Sequence, residues 1–507
     1  MTLISGESSG ERDPLRDGAS EVVKVLRSAG YEGYLAGGCV RDLRLGTRPK
    51  DYDVVTNARP EEVAKLFRRT HLVGAAFGVV RVLISRDLVY EVATYRGDGA
   101  YEDGRRPETV VYGVGKEEDV RRRDFTINAM LLDPLSGEVI DLVGGLDDLK
   151  AQVIRAVGDP KLRFEEDHLR LLRAVRFATR LGFDIETDTG EAMRASASKL
   201  SRISRERISA ELDGIWSSPA PGRGLELLGD FDLVAGALPF LPEALLGLSR
   251  SLGFDQPRVS VSLTAQGARL MKALSDASSK ATWAIVERFF EKVASLARLQ
   301  RSTTDAAALT KPDLVRVAWA VLLEGLERSR VQEALQDLRR SREDLRIIGA
   351  LIEAAPRLRA PERFSLADAR RLVADTAAWP LTKALLHALV GEPPADGDGY
   401  DDDDRPAWLR AQAGSSESAP SDARHRFAEV ERDLTEHPLP PRPIVTGADL
   451  KALGLDAGPA FKALLGKVDC AVLERKVTSR AEALDFVRAL VASDNFGPIP
   501  DKSHRES

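Results

Sequence analysis

Cysteine is nearly missing from this chain: two in 507 residues, Cys39 and Cys470. That excludes a disulfide framework and a cysteine-built metal centre, and it points to a reducing compartment. Aromatic side chains make up only 6% of the sequence, which speaks against an aromatic-rich β-sandwich and for helices. No long apolar run occurs, and the opening MTLISGESSGERDPLRDGAS is polar with early acid. It has neither the apolar core of a signal peptide nor a membrane anchor, so a cytoplasmic protein without a membrane partner is expected. The histidines, His71, His168, His387, His425, His437 and His504, are scattered and read as structural or solvated rather than as metal ligands. An excess of base is also lacking. The formal net charge of -6 would argue against a nucleic-acid partner if charge were evenly spread. It is not: arginine is dense over Arg121–Arg123 and Arg163–Arg207, and acid over Asp396–Asp404, which leaves room for a basic surface.

What is present reads as several domains, since the length exceeds one ordinary core. After a polar tail (1–20), an α+β unit is expected over 21–150. Its elements are a helix Glu21–Ala29 stopped by Gly30, a strand Gly33–Ala36 entering a Gly37-Gly38 turn, a helix Val40–Leu45, a strand Asp51–Val55, a helix opened by Pro60, and strands Val79–Ile84 and Leu88–Tyr95. The period then turns helical, with Leu169, Leu172, Val175, Phe177 and Ala178 interleaved with Arg170, Arg173, Arg176 and Arg180. This predicts a helical neck over 151–216 and a helical body over 217–390. An acidic Gly/Pro/Ser-rich linker follows (391–435), then a small terminal unit (436–492) with a capping-box start at Thr446–Asp449 and Pro459 opening a further helix, and a disordered end (493–507).

The chemistry starts at Asp51-Tyr52-Asp53. Residues two apart on a strand share a face, so both carboxylates address one spot, a donor set for a hard divalent cation. Two such ions suit activation of an attacking 3′ hydroxyl and stabilisation of a leaving pyrophosphate. Glu91, on a neighbouring expected strand, is placed to supply a third carboxylate. Taken alone, Asp-x-Asp is more often a solvated strand edge or turn. Gly37-Gly38 before a helix start, with Arg41 one turn on, shifts the balance, because backbone amides there can approach phosphates.

GGCVRDLRLGTRPKDYD (37–53) resembles the signature of the class II tRNA nucleotidyltransferase and bacterial poly(A) polymerase family, in the polymerase β-like superfamily. RRDFTINA (122–129), DLVGGLDDL (141–149), EDHLRLLRAVRFA (166–178) and ISRERI (203–208) follow in the family's order. The resemblance implies a polymerase β-like head followed by an all-α neck, body and tail. It implies that Gly38 and Arg41 meet the triphosphate, that Asp51 and Asp53 bind magnesium, with manganese an open alternative, and that Arg123 and Asp124 contact the sugar and phosphate region with support from Asn128. Asp167 and Arg170 would read the incoming base, with Arg173 and Arg176 as further nucleotide contacts. A carboxylate accepts from the exocyclic amine that cytosine and adenine share, and a guanidinium donates to the neighbouring ring atom.

Three features favour the CCA-adding branch, which extends the 3′ end of tRNA from CTP and ATP: the charged loop DGAYEDGRRP (98–107), the stretch GAAFGVVRV (74–82), and the terminal PIVTGADLKALGLDAGPAFKALL (443–465). A poly(A) polymerase, or an enzyme adding only CC or A, remains the alternative. The body lacks an adjacent His-Asp pair, Ala318–Gly325 reading AWAVLLEG, so no phosphohydrolase activity is expected. Oligomeric state stays open.

Overall fold

The computed structural model describes residues 13–73, 78–86, 88–98, 110–241, 243–244, 310–358, 366–376, 444–455 and 458–493, with a few single residues between 429 and 437. The chain divides into two units, the first carrying all residues to 297 and the second most of those beyond.

The first unit opens with α1 (Pro14–Ser28), which starts at Pro14 rather than at Glu21, so part of the expected tail is helical. Asp13 caps it by accepting from the Leu15 amide, and Pro14 sits where a missing N–H costs nothing. Strand β1 (Tyr34–Ala36) leads through the glycine turn to α2 (Gly38–Arg44), then β2 (Asp53–Thr56), α3 (Pro60–Leu66), β3 (Thr70–Val73), β4 (Val79–Leu83) and β5 (Val89–Thr94). A two-stranded hairpin, β6 (Arg96–Asp98) with β7 (Val110–Tyr112), follows, and the rest of the segment 98–107 lies outside the described residues. Then come α4 (Lys116–Arg121), a 3-10 turn at Thr126–Asn128, β8 (Leu131–Leu132), β9 (Val139–Ile140) and α5 (Gly145–Ala151).

The main sheet runs β3-β4-β5-β2-β1-β8-β9. Period-two alternation sorts its faces. Tyr90, Val92 and Val80 are buried, under helices α1 and α3, whereas Val89, Glu91 and Arg81 are exposed on the other side. Tyr90 donates to the Leu15 carbonyl (3.0 Å), and a Cβ on Gly18 would lie 2.1 Å from its hydroxyl, so only glycine lets α1 lie this close. Two-residue β8 sits beside the central β1 with no periodic signature, and the sequence reading did not anticipate it.

Beyond the head, α6 (Pro160–Glu166), α7 (Arg170–Leu181), α8 (Thr187–Ser196), α9 (Arg205–Trp216) and α10 (Pro221–Asp230) form the helical part of the first unit, α7 packing on α9 and α10. Apolar positions Leu171, Leu172, Ala174, Val175 and Ala178 bury one side of α7 and leave Arg170, Arg173, Arg176 and Arg180 on the other. His168 is buried and bonds the Phe164 carbonyl through Nδ1 (2.6 Å), a structural histidine between α6 and α7.

In the second unit, described helices span Lys311–Leu323, Arg342–Leu358 and Leu366–Thr376. A terminal group, Gly447–Ala452, Pro459–Leu473 and Arg480–Ser493, closes over Leu450, Leu464, Val468, Val472 and Val487. The Thr446–Asp449 capping box and Pro459 as first helical residue match the sequence reading. Most of 391–435 lies outside the described residues, but Asp433 pairs with Arg370 (2.9 Å) and Arg475 (3.0 Å), so the expected linker ends before 435. No described helix is long and apolar enough to cross a membrane.

Candidate active site

Between the open face of the head sheet and α7 lies a cleft of about 680 Å³. Gly37, Gly38, Arg41, Asp51, Asp53, Arg123, Asp124, Asn128, Asp167, Arg170, Arg173 and Arg176 all line it. Of the sequence-based candidates only Glu91 does not.

Gly37 turns the chain with φ 79°, a left-handed conformation that favours glycine. A Cβ there would stand 3.3 Å from Arg123 Nη1, and one on Gly38 3.5 Å from Arg41 Nη2, so the two glycines also admit guanidinium groups. Arg41 does not reach into open space. It is 2% exposed, donating from Nη1 to Asn128 Oδ1 (2.6 Å) and from Nε and Nη2 to Asp42 Oδ1 (2.8 and 2.6 Å).

Regular strand begins only at Asp53, so Asp51 stands on its extended lead-in. The alternation still holds. Tyr52 is buried, its hydroxyl donating to Asp13 Oδ2 (2.7 Å), and Asp51 and Asp53 on either side face solvent. Neither carboxylate has an ion-pair partner among the described residues. Burial, then Asp51, then Glu91 push the Asp53 pKa from 3.8 up to about 6, with Arg123 opposing. Strands β2 and β5 pair in parallel with Val54 opposite Val92, which sets Asp53 beside Glu91. Yet Glu91 Oε1 accepts from Arg81 Nε and Nη2 (3.0 and 2.9 Å) on β4. Among the described residues no three His, Cys, Asp or Glu side chains converge as a metal-holding group. The donor set in the cleft is therefore the Asp51–Asp53 pair, with Glu91 at its margin.

The arginine-bearing side is held by carboxylates. Asp124 accepts from Arg173 Nε and Nη2 (2.9 and 2.5 Å) and from Asn128 Nδ2 (3.3 Å). Burial alone would raise the Asp124 pKa, but Arg173 and these hydrogen bonds hold it below 3.8. Asp167 accepts from the Leu169 amide through Oδ1 (3.0 Å) and from Arg207 Nη2 through Oδ2 (2.7 Å). Arg170 donates to Glu166 (2.5 Å) and to the carbonyls of Arg163 and Arg122 (2.9 and 3.1 Å). Arg123 reaches Asp119 (3.1 Å) and the Asn128 carbonyl (3.4 Å), while its buried Nε has no hydrogen-bond partner among the described residues.

Residues 33–155 match the Poly A polymerase head domain, and residues 182–245 match a domain described as the probable RNA and SrmB-binding site of polymerase A. A CCA-adding enzyme of Geobacillus thermodenitrificans is 36% identical over 311 residues, 61% of this chain and 74% of that protein. The chain belongs to the CCA-adding enzyme family. A Streptococcus sanguinis member is 45% identical over 225 residues, 44% of this chain; the match spans 55% of that relative's length. Among solved structures, the Bacillus stearothermophilus CCA-adding enzyme in complex with CTP has a TM-score of 0.64 at 25% identity, covering 95% of this chain and 99% of that one. The Thermotoga maritima enzyme complexed with tRNA shares the fold at 20% identity and TM-score 0.53.

Several residues that build this family's cleft here escaped the sequence reading. Asp119 is buried and clamps both Arg122 (2.5 Å) and Arg123 (3.1 Å). Glu211, on α9, holds Arg176 (2.6 Å) and approaches Arg173 (3.9 Å). The Arg176 stem crosses Gly214, where a Cβ would lie 2.4 Å from its Cδ. Phe177 gathers three guanidinium groups, those of Arg41, Arg173 and Arg176 at 5.3, 5.4 and 4.5 Å from its ring centre, and meets Phe125 edge-on at 5.8 Å. The ISRERI segment was the available signal for Arg207, and Phe177 was read only as an apolar position of its helix; a lone Asp or Glu on a helix carries no such signal.

Proposed function

We propose that the cleft adds CCA to the 3′ end of tRNA from CTP and ATP, as a tRNA nucleotidyltransferase. The observation that carries this reading is that one cleft holds two carboxylates without an ion-pair partner among the described residues, Asp51 and Asp53, together with a wall of arginines around Asp167. The acceptor's 3′ oxygen forms a bond to the α-phosphorus of the nucleotide, the bond to the bridging oxygen breaks, and pyrophosphate leaves.

Asp51 and Asp53 suit hard divalent cations, magnesium or manganese: their donors are oxygens, and neither carboxylate has an ion-pair partner among the described residues. Bound there, such ions would supply charge neutralisation at the reacting phosphate. Glu91 supports the pair from its margin. Gly38 lets the backbone approach the phosphates, and the buried Arg41, tied to Asn128, acts by holding the turn that carries Arg123 and Asp124. Arg123, held by Asp119 and the Asn128 carbonyl, serves the sugar and phosphate region. Asp167, fixed by Arg207, accepts from the exocyclic amine of C or A, and Arg170 donates to the neighbouring ring atom. Arg173 and Arg176, anchored by Asp124 and Glu211, complete the nucleotide side.

Purified protein given tRNA ending at the discriminator base, with CTP and ATP, is expected to add C, C and A and stop, as read by product sequencing. Long A tracts on unstructured RNA from ATP alone, with CTP ignored, would replace this reading by poly(A) synthesis. Product stopping at CC, or A added only to a CC end, would restrict it to a partial activity.

A further inference from the structure

The cleft's positive charge is already engaged. Every arginine that lines it is ion-paired to a carboxylate of the protein, from Arg170 with Glu166 at 2.5 Å to Arg180 with Asp42 at 3.7 Å. An incoming phosphate must share or displace those partners, and a guanidinium already bound in two places gives up little. Lys50 differs. It lines the same cleft, is exposed, and among the described residues has no carboxylate or hydrogen-bond partner. Its position is also fixed: Pro49 and Tyr52 are buried on either side, so Lys50 and Asp51 are presented together between two anchors.

We propose that Lys50 is a phosphate-binding residue of the transfer reaction, its ammonium contacting the phosphates brought to the Asp51 segment. This rests on the nucleotidyl-transfer reading. A lysine suits the task, since its ammonium is a compact point charge on a flexible stem that follows a phosphate without a fixed fork geometry. That phosphate comes either from the nucleotide's triphosphate or from the terminal phosphodiester of the RNA acceptor, and the two sources separate experimentally.

Lys50→Met and Lys50→Arg are compared with the unaltered protein by steady-state CCA addition, varying CTP and tRNA in turn, and by equilibrium binding of CTP alone and of tRNA alone, each at two salt concentrations. A triphosphate contact raises KM for CTP and weakens CTP binding about three- to tenfold in Lys50→Met, with recovery in Lys50→Arg. A contact to the acceptor instead raises KM for tRNA and lowers the salt dependence of tRNA binding by about one counter-ion, leaving CTP binding unchanged. If the unaltered protein adds CCA and Lys50→Met matches it within twofold in both KM values, Lys50 is a solvated surface lysine and the proposal is wrong. If the unaltered protein adds no nucleotide, the transfer reading itself fails, whatever Lys50 does.

Discussion

Replacing Asp53 by Asn is expected to stabilise the metal-free protein while abolishing nucleotide addition. Desolvation of the ionised Asp53, then repulsion from Asp51 and Glu91, lift its pKa from 3.8 to about 6 against the opposing Arg123. At 1.36 kcal/mol per pH unit that rise corresponds to about 3 kcal/mol of destabilisation in the ionised protein. The residue is exposed, so solvent screening reduces the gain expected of Asp53→Asn to about 1–2 kcal/mol. The sign follows from the protonation states. Above pH ~6 the carboxylate is charged in both folded and unfolded chains and the penalty is complete; between pH ~6 and ~4 the folded protein takes up its proton first and the penalty fades. Asparagine carries no such charge at any pH. Thermal unfolding in a chelator at about pH 7.5 and about pH 4.5 reads this directly, with the head transition raised by a few degrees at the higher pH and little changed at the lower. Added magnesium should then stabilise the unaltered protein and leave Asp53→Asn nearly unmoved, because ligand linkage needs the site. A variant no more stable than the unaltered protein at the higher pH, or a gain that persists undiminished at the lower, refutes the electrostatic account.

Two further outcomes follow from the arginine side of the cleft. Arg207→Met removes the 2.7 Å partner of Asp167 Oδ2 while the Leu169 amide still holds Oδ1. Discrimination of CTP and ATP against UTP and GTP should fall by roughly 1–2 kcal/mol in single-nucleotide incorporation, and unchanged ratios would remove Arg207 as the residue that orients the base reader. Phe177→Leu leaves three guanidinium groups without their common ring, so KM for CTP should rise about tenfold with kcat little affected. Phe177→Tyr should restore it, and a loss confined to thermal stability would instead make Phe177 a packing residue.

The Asp-x-Asp pair was legible because alternation along an extended segment is a local property: Tyr52 goes in, so Asp51 and Asp53 go out. The arginine stripe of α7 was legible for the same reason, its apolar positions returning at helical spacing. Helix starts at Pro60, Thr446 and Pro459 were written in single residues whose backbone chemistry suits a first turn. Glu91 marks where local reading stops. Its strand and its place beside Asp53 could be anticipated, but not that Arg81, across the β4–β5 ladder, takes its carboxylate.

Tertiary structure alone decided that Arg41 is buried against Asn128, 87 residues away, instead of standing free, and that Glu211 reaches Arg176 across 35 residues. The physical reason is range. Backbone propensity and periodicity act over a turn or a strand, whereas an ion pair forms wherever folding brings two charges together, and the sequence carries no periodic mark of its partner.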